Sequence, residues 1–157
     1  MKKLFSLLTV LFLGVQLGTA QSDVEEIDFI QSIMGAEKKE VMSQFVNLQG
    51  PAADSFWKLY DEYEVKRKSL GKERIALIKE YAEEYNGITA EQTDALMRKA
   101  MKLRNSNNKL LDSYYKKIKK ASGSKAAAQF HQLESYVQAA VRTEIFNNIP
   151  LIGELEN

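Results

Sequence analysis

Only two prolines, Pro51 and Pro150, interrupt the chain, and no segment between them alternates apolar and polar residues at the period of two that a half-buried strand needs. Apolar residues recur instead at spacings of three and four. Such a pattern commits the chain to helices, each burying one stripe against a neighbour. The expected fold is all-α: an antiparallel helical hairpin of two long amphipathic helices, with a shorter helix at each end.

The first long helix is expected over 51–85, with Gly50-Pro51 opening it and proline well placed in a first turn. At 1.5 Å per residue it would run ~52 Å. Its seam reads Phe56, Tyr60, Tyr63, Arg67, Leu70, Arg74, Leu77 and Tyr81, alternating spacings of four and three. Gly71, near the middle, weakens it by about 1 kcal/mol relative to alanine. Asn86-Gly87 stops it, and Thr89-Ala90-Glu91-Gln92 is a capping box for a second long helix over 90–121. That helix has the seam Leu96, Ala100, Leu103, Asn107, Leu110, Tyr114 and Ile118. Folding back at Gly87 brings Arg67 and Arg74 level with Asn107 and Met101. A polar layer of Arg67, Arg74 and Asn107 would fix the register of the pair at some cost in stability; contact with a partner or ligand is its alternative use.

A shorter helix is expected over 24–47, with Asp23 as its cap, Glu26 in the capping-box position and Gly35 as a point of bending or breakage. Its apolar line is Ile27, Ile30, Met34, Val41, Phe45 and Leu48. After Ser122-Gly123-Ser124 the last helix is expected over 125–147, with Ser124 as its cap and Phe130, Leu133, Val137, Ala140, Val141 and Ile145 on one face. Pro150 ends it, and Leu151-Ile152 is expected to dock the tail onto the bundle.

The first twenty residues read as an address rather than as fold. Lys2 and Lys3 precede an apolar run from Leu4 to Val15, and Gly18-Thr19-Ala20 supplies small residues before a cut. This is the three-part pattern of a secretory signal peptide cleaved after Ala20. The run is shorter than the about 20 residues a membrane span needs, and no cysteine follows it to carry a lipid anchor. The expectation is a signal peptide at 1–20 and a single helical domain at 21–157. The compartment would be the periplasm of a two-membrane cell, with the extracellular space as second choice.

Composition narrows the chemistry. With no cysteine there is no disulfide scaffold, thiolate metal site or cysteine nucleophile, and the one histidine is His131. His131 and Glu134 make at most a two-ligand site, so a surface histidine is the better reading. Neighbouring carboxylates such as Glu25-Glu26 and Glu83-Glu84 point in different directions from a helix and serve as solvated faces. No phosphate-cradling loop, GxSxG elbow or HExxH motif occurs. Twenty-two basic residues against 21 acidic ones give +1, which draws the chain to no nucleic acid. No catalysis, cofactor or metal is expected.

Protein binding is expected instead. The candidate partner-binding residues are the aromatics Phe56, Trp57, Tyr60, Tyr63, Tyr114 and Tyr115 with Lys116, Lys117 and Lys120. Most of the aromatics should be core. A thin pair of helices cannot bury every such ring, which leaves surface such as Trp57, Met97 and Met101 for dimerisation or for a bound protein. Lys109, Lys116, Lys117, Lys119, Lys120 and Lys125 gather near the end of the second long helix, where they oppose its dipole. Attraction of acidic protein segments or anionic lipid headgroups is the lesser reading of that cluster.

An offset of about 40 residues aligns Leu48 with Ile88, Asp54 with Asp94, Phe56 with Leu96, Trp57 with Met97 and Lys58 with Arg98, by the helical register alone. Together with the export pattern and the helical chain, the structural motif Ile88-Thr89-Ala90-Glu91-Gln92 resembles the Spy/CpxP-type periplasmic proteins, whose Leu-Thr-x-x-Gln motif occurs twice and opens a helix each time. Here Thr89 and Gln92 are kept and Ile88 replaces leucine. The other copy is eroded to Leu48-Gln49-Gly50-Pro51-Ala52, without threonine or glutamine in its place. The stretch from Phe56 to Glu64 is more similar to an uncharacterised exported branch. The resemblance implies a helical hairpin, often in a curved dimer, that binds unfolded envelope proteins without ATP; some relatives sense metal or restrain a signalling kinase. The function expected from it is an ATP-independent chaperone or envelope-stress factor. The alternatives are a structural or regulatory module that binds one partner or itself, and a metal-responsive sensor.

Overall fold

The structure is a computed structural model and describes residues 34–153. The expected signal peptide, the Asp23–Glu26 cap and the start of the first short helix, with Ile27 and Ile30, lie outside the described residues. Among the described residues there are four helices and no strand: α1 (34–46), α2 (Pro51–Glu84), α3 (Ala90–Ser122) and α4 (Ser124–Asn148). The all-helical reading holds, with each described boundary within a residue or two of its expected place. The chain divides into two compact units. One is Leu48–His131; the other takes the residues on either side of it, of which 34–47 and 132–153 are described.

The helix boundaries follow from local chemistry. Asn47 leaves α1 with φ of 39°, a left-handed conformation that asparagine tolerates better than most side chains. Gly50 then adopts φ of 64°, and its carbonyl accepts from Ala53 N at 2.9 Å to start α2, with Pro51 in the first turn. The capping box before α3 forms in full. Gln92 N donates to Thr89 Oγ1 at 3.2 Å, and Thr89 N donates to Gln92 Oε1 at 2.9 Å. Gly123 serves two helices: its N–H donates to Lys119 O, while its carbonyl accepts from Ala127 N, both at 3.2 Å. Its φ of 94° is costly for any residue with a Cβ. Gly123, rather than the expected Ser124, therefore holds the cap position of α4.

Within Leu48–His131, α2 and α3 pack along each other. Ser122 Oγ donates to Ala52 O at 2.8 Å, the Tyr63 and Tyr114 rings lie 5.6 Å apart, and Lys99 pairs with Glu80. Phe56, Tyr60 and Tyr63 from α2 are fully buried with Tyr114 and Ile118 from α3. Phe130 of α4 closes this core, its ring 5.0 Å from Tyr63 and 6.3 Å from Tyr60, both edge to face. Ala126 and Ala127, also buried, keep the first turn of α4 thin enough to approach. On α3 the buried leucine is Leu111, not the expected Leu110, which is half-buried.

In the other unit the buried line of α1 is Lys38, Met42 and Val46 at spacings of four. This replaces the expected Val41–Phe45 line, in which Phe45 is 47% exposed. The reason is a charge: Lys38 Nζ meets Glu134 Oε1 of α4 at 2.8 Å, with side chains only 4% and 0% exposed. A buried lysine is tolerated where its partner carboxylate is, so the face carrying Lys38 turns inward. Gly35 sits inside the helix. Leu151 and Ile152 are 62% and 49% exposed, against the expectation that they would dock.

Two substitution sets check this packing. Phe130→Ala should lower unfolding stability by about 3–5 kcal/mol in urea titration, the usual cost of emptying a fully buried aromatic site. Glu134→Ala, which removes the carboxylate facing the buried Lys38 ammonium, should cost a similar ~3–5 kcal/mol, whereas Lys38→Met with Glu134→Leu should restore most of it.

Candidate functional site

The capping box sets where α3 starts, and from that start the helical period decides which side chains face α2. Leu96, Leu103, Asn107, Leu111, Tyr114 and Ile118 fall on the inner stripe and are buried. Met97 and Met101 fall one turn apart outside that stripe, 47% and 43% exposed. On the helix surface their exposed neighbours three residues away are Asp94, Arg98 and Arg104. The result is an exposed thioether pair flanked by charges of both signs. Methionine has three rotatable bonds and a polarisable sulfur, so such a pair moulds to apolar surfaces of differing shape.

The expected partner-binding residues separate by burial. Phe56, Tyr60, Tyr63 and Tyr114 are 0–1% exposed and form the core. Trp57 is partly exposed, its ring edge to face with Phe56 at 5.0 Å and with Tyr60 at 5.5 Å. Tyr115 is also partly exposed and meets the His131 ring at 5.6 Å, while His131 Nε2 lies 3.4 Å from Asp112 Oδ1. Lys116, Lys117 and Lys120 are exposed. Lys117 Nζ sits 4.4 Å from the centre of the Tyr114 ring, and Lys66 Nζ 5.3 Å, so two ammonium groups lie over one buried tyrosine. The structure thus brings Tyr63 and Tyr114 together as core and leaves Trp57, Tyr115 and the lysines as accessible groups.

The polar residues of the seam are engaged near home. Asn107 is buried and donates Nδ2 to Leu103 O at 2.9 Å, four residues back on its own helix. Arg67 Nε bonds Glu64 Oε1 at 3.0 Å, and Arg74 is half-buried. Ile88 is half-buried beside the Thr89–Gln92 box. Glu134, read from sequence as the only companion of His131, is the buried partner of Lys38. The signal for that pair was present: Lys38, Met42 and Val46 share a helical line, as do Phe130 and Glu134.

A groove of about 300 Å³ runs beside the α2–α3 seam, lined by Glu73, Leu77, Glu80, Lys99, Lys102 and Ser106. Its charges are mixed and it is open to solvent, so it offers no enclosed site for a small molecule. Among the described residues no three His, Cys, Asp or Glu side chains are grouped to hold a metal ion. Among the same residues no helix is long and apolar enough to cross a membrane. Compared with models of known families, with curated proteins and with solved structures, the chain matches none.

The exposure of the methionine pair has a direct chemical readout. Mild peroxide should convert Met97 and Met101 to the sulfoxide well before Met42, which is 0% exposed. Peptide mass mapping over a time course should show Met42 oxidised last among these three; equal rates would contradict the assigned faces.

Proposed function

We propose that this chain is an exported helical protein that binds other proteins without ATP, as a chaperone-like or envelope-stress factor. The observation that carries the reading is the exposed Met97–Met101 pair on a long helix whose inner stripe is buried. The contacts of Ala52 with Ser122, Tyr63 with Tyr114 and Glu80 with Lys99 run in opposite chain order, which supports an antiparallel hairpin as the scaffold. The complete Thr89–Gln92 box supports the likeness to the Spy/CpxP-type motif, and the Lys2–Ala20 pattern supports export. On this reading the aromatic core supplies rigidity, and the flexible thioethers supply adaptable contact. Docking of one folded partner onto Phe56–Tyr63 is the weaker alternative, since Phe56, Tyr60 and Tyr63 are wholly buried and would have to leave their core first.

The test is suppression of aggregation. The purified chain should suppress light scattering by a chemically denatured model protein at near-stoichiometric ratios and without nucleotide. Met97→Ser with Met101→Ser should raise the concentration needed several-fold, with unchanged circular dichroism. Absence of suppression at any ratio, or full activity in the double variant, would sink the proposal.

A further inference from the structure

Basic residues of α3 form a row along one side of the helix. At 100° per residue, Arg98, Lys102, Lys109, Lys116 and Lys120 fall within about 40° of a single line on α3. All five are exposed. From Arg98 to Lys120 the row is about 33 Å long at 1.5 Å per residue. No acidic residue between Arg98 and Lys120 falls in that sector; Asp112 stands about 40° beyond its edge. None of the five cations has an ion pair among the described residues. Glu73 and Glu80 of α2 line the groove beside Lys102, so the carboxylates of α2 are nearest that end of the row.

We infer that this row is a docking face for an anionic lipid surface. Three features favour a lipid plane over a protein. A helix laid on a plane touches it along one line, and a narrow row is the arrangement that brings every charge to the plane together. Within the sector stand only the five cations, with the polar Asn105 and Ser113 about 20° to either side and no apolar side chain between, whereas protein interfaces draw their affinity from buried aromatic and aliphatic anchors. Four of the five cations are lysines. Lysine acts as a compact point charge on a flexible stem, suited to mobile headgroups, while fixed carboxylates are better matched by the arginine fork. The dipole at the end of α3 accounts for Lys119 and Lys120, in its last turn, but not for a row reaching back to Arg98.

This inference does not depend on the protein-binding reading, because Met97 and Met101 lie outside the row. The experiment is co-sedimentation of the full chain with phosphatidylcholine vesicles, alone or mixed with phosphatidylglycerol. Binding should appear with the mixed vesicles only and should vanish near 1 M salt, where screening reaches about 3 Å. Lys109→Gln/Lys116→Gln/Lys120→Gln should weaken it about a hundredfold, at roughly fivefold per lysine. Lys58→Gln/Lys68→Gln/Lys125→Gln, which removes the same charge off the row, should weaken it far less, and circular dichroism should be unchanged in both. Equal loss in the two triples, binding to neutral vesicles, or no binding at low salt would overturn the proposal. So would capture of polyglutamate or duplex DNA in preference to the mixed vesicles.

Discussion

The unit from Leu48 to His131 depends on one interaction: the edge-to-face packing of Phe130 against Tyr63 and Tyr60. Two amphipathic helices alone share a seam one side chain wide, which leaves the flanks of large rings in water. Phe130 supplies the missing wall at the end where Phe56, Tyr60, Tyr63 and Tyr114 gather, and all five rings are buried there. Toward the Gly87 turn no third helix of this unit covers the seam. There the α2 positions Leu70, Arg74, Leu77 and Tyr81 are only half-buried. The graded burial along α2 is thus a consequence of where α4 begins. That start is fixed by Gly123, whose left-handed backbone ends one helix and opens the next.

Core and surface duties are divided by the same geometry. Tyrosines that sequence reasoning offered to a partner are consumed in the core, because ring burial contributes more stability than any exposed contact could offset. Exposed methionines on one side of α3 and a cationic row on another remain. Helical phase keeps them apart, so a single helix can present two chemically distinct faces while its third faces α2. The two lysines over the Tyr114 ring, Lys66 and Lys117, mark the boundary between core and charged surface.

Much of this was legible from residue order. The capping box at Thr89–Gln92, the proline start at Pro51 and the Asn86-Gly87 stop all placed helix ends to within a residue or two, because each acts through neighbours in the chain. The inner line of α1 was not legible in the same way. Phe45 is more apolar than Lys38, so local pattern turned the helix the wrong way. Only Glu134, nearly a hundred residues on, makes the Lys38 face the buried one. The choice between Leu110 and Leu111 failed similarly, since a leucine doublet offers two phases and the neighbouring helix selects one.

The sequence by itself determined that this chain is helical and where its described helices begin and end. It also determined which charges fall in line on α3, since helical phase depends only on residue number. Tertiary structure decided which rings became core, that Asn107 would satisfy itself on its own helix, and that an ion pair would be buried between Lys38 and Glu134. Those outcomes rest on contacts between residues distant in the chain. Local spacing shows which face is available; burial depends on what arrives to cover it.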